Sequence, residues 1–340
     1  MTHWQETAEI ISRLRALAAI PSRAALATVV RTVGSAYRRA GAKLLILESG
    51  ETIGAVSGGC LEADVREVAR GVIETGRPVL RHYDAGDDDD LIGSLGMSCN
   101  GQVDIFIQPA TTGPLAWVTE SLDQLLEGDM PITIATVVAG TDVGCTTVVR
   151  LAGPLAHGSS HLHPVADRHV FIETLLPPPH VVICGAGADA IPLVAYCADA
   201  GFRVTVLDHR EGLLQPSLFP KAARRAVAHA DDPEMVLPPP SRSLAVVKTH
   251  SFAHDRDWTR LLLGIGVPYV GVLGPKERTE RILRDIGDDD HERVFGPVGL
   301  DIGADGPRQI AISIVAELLA FVSKRQPQHL AKRRQAIRVD

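Results

Sequence analysis

Cysteine is scarce and unpatterned in this sequence. Five occur in 340 residues, Cys60, Cys99, Cys145, Cys184 and Cys197, an odd number with no Cys-x-x-Cys spacing. That excludes a secreted disulfide framework, and the compartment expected is a reducing cytosol. Long apolar runs are also missing. A membrane-crossing helix needs about 18 apolar residues or more, and the closest stretch, Leu261–Gly274, is broken by Gly264, Gly266 and Pro268. The first residues carry neither a basic region nor an apolar core, so no secretory signal is expected. Basic charge is not in excess: the net charge is −7 and the isoelectric point near 6.0, which argues against a general nucleic-acid binder. There is no G-x-S-x-G, no Walker A, no H-E-x-x-H, and no internal repeat with a period of about 20–50 residues.

What is present is an ordinary globular composition, 45% apolar and 22% charged, with length enough for two domains, each with its own core. The fold class expected is α/β: a mixed α+β domain over residues 1–176, a proline linker at 177–179, a Rossmann-like doubly wound parallel sheet over 180–322, and a basic tail at 323–340. In the first part, Trp4, Ala8, Ile11, Leu14 and Ala18 recur at helical spacing and predict an opening helix that ends before Pro21. Strands are expected at 25–32, 43–48, 52–56, 103–107, 132–138, 146–151 and 170–175, with a helix at 61–73. Pro177-Pro178-Pro179 can continue neither a helix nor a central strand. Beyond it, strands at 180–184, 203–207, 244–248 and 269–271 alternate with helices at 189–200, 258–263 and 277–286, and a last helix spans 307–321. The tail after Ser323 holds six basic side chains against one aspartate and reads as a solvated terminus.

Two turns carry chemistry. Gly185-Ala186-Gly187-Ala188-Asp189-Ala190 fits G-x-G-x-x-G/A between an expected strand and helix, and Asp208 ends the next strand. The first glycine would make the tight turn, the second would admit a pyrophosphate to the backbone, and small Ala190 would let helix pack on strand. Asp208 would accept from ribose hydroxyls. Asp189 opposes this, because its carboxylate lies where phosphate oxygens would sit; a Rossmann scaffold holding no dinucleotide is the competing reading.

Ser57-Gly58-Gly59-Cys60-Leu61-Glu62 leaves a strand and opens a helix. Its successive N–H groups can form an anion nest, and a helix N-terminus would stabilise a Cys60 thiolate. A small buried packing cysteine explains the same residues equally well. Arg38 and Arg39 beside Gly34-Ser35 can hold an oxyanion or simply be solvated. Cys99 and Gly101 in Gly96-Met97-Ser98-Cys99-Asn100-Gly101 form a second glycine-flanked cysteine turn. His157, His161, His163 and His169 lack zinc spacing and are expected in a solvated loop. Asp87–Asp90 and Asp288–Asp290 read as acidic loops rather than calcium sites. Cys184 and Cys197 read as core.

Taken together, these stretches resemble the XdhC/CoxI family, the accessory proteins of xanthine dehydrogenase and related molybdenum hydroxylases. The resemblance rests on Thr28–Ser35, Arg38–Ala42 and Gly54–Val65 in the first half. In the second half it rests on Gly185–Gly187, Gly201–Val206, Thr249-His250, Gly271–Gly274, Gly299–Ala304 and Ile310–Glu317. It implies a protein that binds molybdenum cofactor (molybdopterin or a dinucleotide form) and assists exchange of an oxo for a sulfido ligand. The sulfur would come from a cysteine desulfurase, and the cofactor would be delivered to a client molybdenum hydroxylase. It also implies self-association, commonly as a homodimer; from the charge and the missing apolar runs, neither nucleic acid nor membrane is expected as partner. Cys60 would contact molybdenum or carry a persulfide, with Ser57, Gly58, Gly59, Arg38, Arg39, Cys99 and Gly101 around the anions. The sequence departs from the family pattern at Ala188, where histidine is frequent, and at Asn100, where glycine is usual. Two rival readings remain: a nicotinamide (NAD)-dependent oxidoreductase built on Gly185, Gly187 and Asp208, and a cofactor-free scaffold for the client.

Overall fold

The computed structural model describes residues 4–18, 23–34, 38–84, 101–111, 130–149, 160–232, 237–287 and 291–332. The chain divides into two compact units, Met1–Pro177 and Pro178–Asp340.

Among its described residues the first unit has two antiparallel sheets and two helices. Helix α1 (Trp4–Ala18) precedes β1 (Ala24–Gly34), β2 (Lys43–Leu47) and β3 (Thr52–Gly54); α2 (Glu62–Thr75) follows, then β4 (Val79–Asp84) and β5 (Gly101–Pro109). These five strands form one sheet in the order β3-β2-β1-β5-β4. A second sheet has the order β7-β6-β9-β8, from β6 (Ile132–Ala139), β7 (Thr146–Val149), β8 (Ser160–Val165) and β9 (Arg168–Leu175). Strand β1 is buried from Ala24 to Val30 because both its faces are covered. Ala25, Ala27 and Val29 pack with Leu44, Ile46, Ile105 and the α2 residues Val65, Ala69 and Val72. On the other face, Leu26 and Leu45 meet Ile10, Ile11 and Leu14 of α1 with Ile134 and Leu175, while Val30 and Phe106 meet Val138 and Phe171. Period-two alternation thus puts α2 on one side of the sheet and α1 with the second sheet on the other. Lys43 of β2 and Glu173 of β9 form a buried ion pair, Nζ to Oε2 2.6 Å, that ties the two sheets together.

The second unit is a six-stranded parallel sheet in the order β12-β11-β10-β13-β14-β15. Its strands are β10 (His180–Cys184), β11 (Arg203–Asp208), β12 (Arg224–Val227), β13 (Ser243–Val247), β14 (Tyr269–Val272) and β15 (Val294–Phe295). Helices α3 (Ala190–Asp199) and α6 (Gly306–Val322) cover one face through Leu193, Val194, Cys197, Ile314 and Leu318. Helices α4 (Phe252–Gly264) and α5 (Lys276–Ile286) cover the other through Trp258, Leu262, Leu263 and Ile282. The α/β class and the Rossmann-like parallel sheet expected from the sequence are what the fold shows. The strand order reverses between β10 and β13, which opens a crevice beyond their carboxyl ends. Cys184 and Cys197 lie in this core, as expected, and burial pushes both thiols up, Cys197 to about 12.

The expectation of a histidine-bearing loop in the first unit fails. His161 and His163 do not lie in a loop: they are on edge strand β8, paired with β9, and His169 is on β9 itself. Edge strands with one solvated face tolerate polar runs that read as loops. His157, Asp87–Asp90 and Asp288–Asp290 lie outside the described residues.

Candidate functional site

The turn between β3 and α2 is organised around one hydroxyl. Ser57 is buried, and its Oγ accepts from the N–H of Gly59 (3.1 Å) and of Leu61 (3.1 Å). The Ser57 hydroxyl donates to Glu62 Oε2, and the Ser57 N–H donates to Glu62 Oε1 at 2.8 Å. Cys60 Sγ lies 3.6 Å from the same Oγ. Gly59 takes φ 112°, a conformation that favours glycine, and a Cβ there would meet nothing within 4 Å, so the turn faces open space.

This arrangement corrects two expectations. Cys60 does not open the helix: α2 begins at Glu62, after the N-cap residue Leu61. The anion nest is half spent, since Ser57 Oγ already takes two of its N–H groups. The N–H groups of Gly58 and Cys60 make no hydrogen bond among the described residues. What the turn offers is a half-buried thiol in the same turn as those two N–H donors.

Arg38 is not a solvated loop residue. It is 9% exposed, and its guanidinium forks onto the Glu6 carboxylate of α1, with Nη1 3.1 Å from Oε1 and Nη2 on Oε2. Its charge is committed to holding the segment after β1 against α1. Arg39 beside it is half-buried. Gly101 is buried at the start of β5, opposite Gly34 of β1. Cys99 lies outside the described residues.

In the second unit the glycine-rich turn sits at the carboxyl end of β10. Gly185 takes φ 120°, and a Cβ there would lie 2.5 Å from the Lys248 carbonyl oxygen after β13. Only glycine permits this approach of two strand ends. Asp208 at the end of β11 is buried and does not wait for a ribose. Its Oδ2 accepts from the Ala186 N–H (2.7 Å) and Arg210 Nη2 (2.9 Å), and its Oδ1 from the Arg210 N–H and Nε (both 2.9 Å). Burial would raise the Asp208 carboxyl, but the Arg210 guanidinium and the Ala186 and Arg210 N–H groups outweigh it and bring it to about 2.

Asp189 lies over the second glycine, as expected: a Cβ on Gly187 would come within 2.7 Å of its Oδ1. Its Oδ1 is 2.7 Å from Lys248 Nζ and its Oδ2 3.0 Å from His250 Nε2, so it spans the crevice between β10 and β13. Lys248 is 2% exposed, and burial lowers its pKa against the pull of Asp189. Burial would raise the Asp189 carboxyl, but the Lys248 ammonium outweighs it and holds the group below its ordinary value. His250 takes φ 63°, a left-handed backbone unusual for a non-glycine residue. Next to it, buried Asp255 accepts from the Thr249 N–H (2.9 Å) and Arg278 Nη2 (2.5 Å), fixing the turn after β13. Ala190 is fully buried in the core, where a small residue is needed for α3 to pack on the sheet.

The two turns match known proteins separately and together. A family model described as the XdhC Rossmann domain matches residues 181–318, and one described as the XdhC and CoxI family matches residues 18–84. A protein of Bacillus subtilis (strain 168), named as a probable xanthine dehydrogenase subunit, is 34% identical over 319 residues, covering 90% of this chain and 95% of that one. The chain belongs to the XdhC and CoxI family. A crystal structure from Bacillus halodurans described as a xanthine dehydrogenase superposes with a TM-score of 0.77 at 29% identity, covering 95% of this chain and 98% of that one. The uncharacterized protein YqeB of Escherichia coli (strain K12) is 23% identical over 304 residues, and the match spans only 43% of its length.

The sequence of this XdhC/CoxI chain marks the two turns but not the groups that set their charge. Glu6, Glu62, Arg210, Lys248 and His250 do not stand out as site residues in the sequence alone. Arg210 carries a signal, standing two residues after a strand-ending aspartate. Lys248 carries a weaker one, as a lysine closing an apolar strand run.

Proposed function

We propose that this chain is an accessory protein of a xanthine-dehydrogenase-type molybdenum hydroxylase. It would take molybdenum cofactor as cargo, hold it during sulfuration and pass it to the client. Family membership supports the accessory role. The observation that carries the cargo reading is the Ser57–Glu62 turn, where a half-buried Cys60 thiol shares one turn with the N–H groups of Gly58 and Cys60, which have no partner among the described residues. The donor set fits an anionic metal–dithiolene group: a soft sulfur for the metal and N–H dipoles for its oxygens or phosphate. Ser57 locks the turn, so the thiol is pre-placed rather than ordered on binding. A thiol so placed also suits sulfur relay, because thiolate is the attacking species when a persulfide from a cysteine desulfurase hands over its outer sulfur.

The test is anaerobic titration of the intact protein with isolated molybdenum cofactor, wild type against Cys60→Ser. We expect saturable binding that weakens at least about tenfold in the variant, a loss of about 1.4 kcal/mol. We also expect loss of client activation in a reconstitution with apo-hydroxylase. Equal binding by both proteins would remove Cys60 from the site. No binding by the wild type would overturn the cargo reading.

A further inference from the structure

Along α2, a cleft lies between the helix and the β2–β3 turn. Ala63, Arg66 and Arg70 line it on the helix side, and Leu47, Glu48 and Gly50 on the other. Ala63, Arg66 and Arg70 fall on one flank of α2, while Val65, Ala69 and Val72 face the core. Ala63 and Gly50 leave the cleft open where larger residues would fill it.

Charge in this cleft is unbalanced. Arg66 and Arg70 stand one turn apart, roughly 6 Å along the axis, where like charges repel. Neither makes an ion pair or hydrogen bond among the described residues. The neighbouring arginines are committed: Arg13 to Glu51 (2.8 Å), Arg23 to Glu48 (2.5 Å) and Arg38 to Glu6. The one carboxylate lining the cleft, Glu48, is thus already neutralised by Arg23. Two guanidinium forks, both free and both on an open cleft, form a receptor for two adjacent phosphate groups.

We infer that this cleft binds a pyrophosphate, and that it selects the dinucleotide form of the cofactor over the monophosphate form. The selection rests on the cargo reading above; the pyrophosphate site does not. The cleft starts at Ala63, three residues after Cys60, and Arg70 lies about 10 Å further along the helix. A cargo with its metal end at Cys60 therefore lays its phosphates along α2 toward Arg66 and Arg70. One phosphate engages one fork; a pyrophosphate engages both.

The experiment titrates the full-length protein with orthophosphate, pyrophosphate and the nucleoside diphosphates CDP and GDP, then with molybdopterin and its dinucleotide forms. Wild type is compared with Arg66→Gln/Arg70→Gln, Arg66→Lys/Arg70→Lys and Cys60→Ser. All three altered positions are exposed or half-buried, and equal melting temperatures confirm intact folds. We expect pyrophosphate and at least one nucleoside diphosphate to bind at least about tenfold more tightly than orthophosphate. That preference should vanish in the glutamine variant, fall partly in the lysine variant, and persist in Cys60→Ser. Dinucleotide cofactor should bind more tightly than molybdopterin wherever both arginines are present, and equally where both are glutamine. Pyrophosphate binding unchanged by Arg66→Gln/Arg70→Gln, or no tighter than orthophosphate, overturns the inference even if Cys60 still governs cofactor binding. Arginine-dependent pyrophosphate binding without any cofactor binding keeps the phosphate site and overturns the cargo reading instead.

Discussion

Ser57 accepts two backbone N–H groups through one oxygen, so removal of its hydroxyl leaves a buried Leu61 N–H unpaired and takes the donor from Glu62 Oε2 at the same time, while the Ser57 N–H keeps Glu62 Oε1. Ser57→Ala should destabilise the first unit by about 1–3 kcal/mol, read by urea denaturation. Cys60→Ser, at a half-buried thiol with no comparable network, should shift it by less than about 1 kcal/mol while changing cofactor binding. Asp208 offers a pH signature. Its folded-state pKa lies below the unfolded value, so its contribution is complete above that value and disappears as pH falls through the folded one. Asp208→Asn should therefore cost about 1.5–3 kcal/mol at pH 7. That gap should close between pH 3.8 and about 2, as measured by melts of both proteins across that range. At this scale Gly185 is legible in the sequence, since a glycine ending a strand announces a close approach. The internal use of Asp208 is not, because the partner that consumes it, Arg210, binds it through a side-chain geometry that spacing alone does not determine.

Among the elements, the pair Asp189–Lys248 joins the ends of β10 and β13 at the point where the sheet order reverses. Asp189→Ala leaves a buried ammonium without its counter-charge and should cost about 3 kcal/mol or more. Adding Lys248→Met should recover at least half of that loss, and a double-mutant cycle by thermal melting measures the coupling. Strands β10, β11, β13 and β14 are legible because both their faces are buried, which leaves an unbroken apolar run such as Val181–Cys184 or Leu244–Val247. Strands β4, β8, β12 and β15 are not. β4 and β8 are edge strands with mostly exposed side chains, and β12 and β15 are short strands at the two edges of the parallel sheet. Each exists because a distant neighbour pairs with it, and a local pattern carries no trace of that neighbour. Helix α2 is legible almost to its ends, from four core residues at helical spacing, but its start blurs into the preceding turn because Cys60 and Leu61 break no periodicity.

For the whole molecule, each unit closes its own core: the second covers both faces of its sheet with helices drawn from its own residues. A fragment beginning at Pro178 should therefore unfold cooperatively by calorimetry, with a calorimetric enthalpy equal to its van't Hoff enthalpy. The first unit is tied differently. Its central strand β1 pairs with β5, and Lys43 waits for Glu173, 130 residues later in the chain. During synthesis α1, α2 and the five strands of the first sheet all leave the ribosome before β9, so Lys43 and one apolar sheet face stand uncovered until it follows. The span from Lys43 to Glu173 is thus a delay as well as a distance. It marks the interval in which this protein, whose proposed task is to look after another, has most need of being looked after.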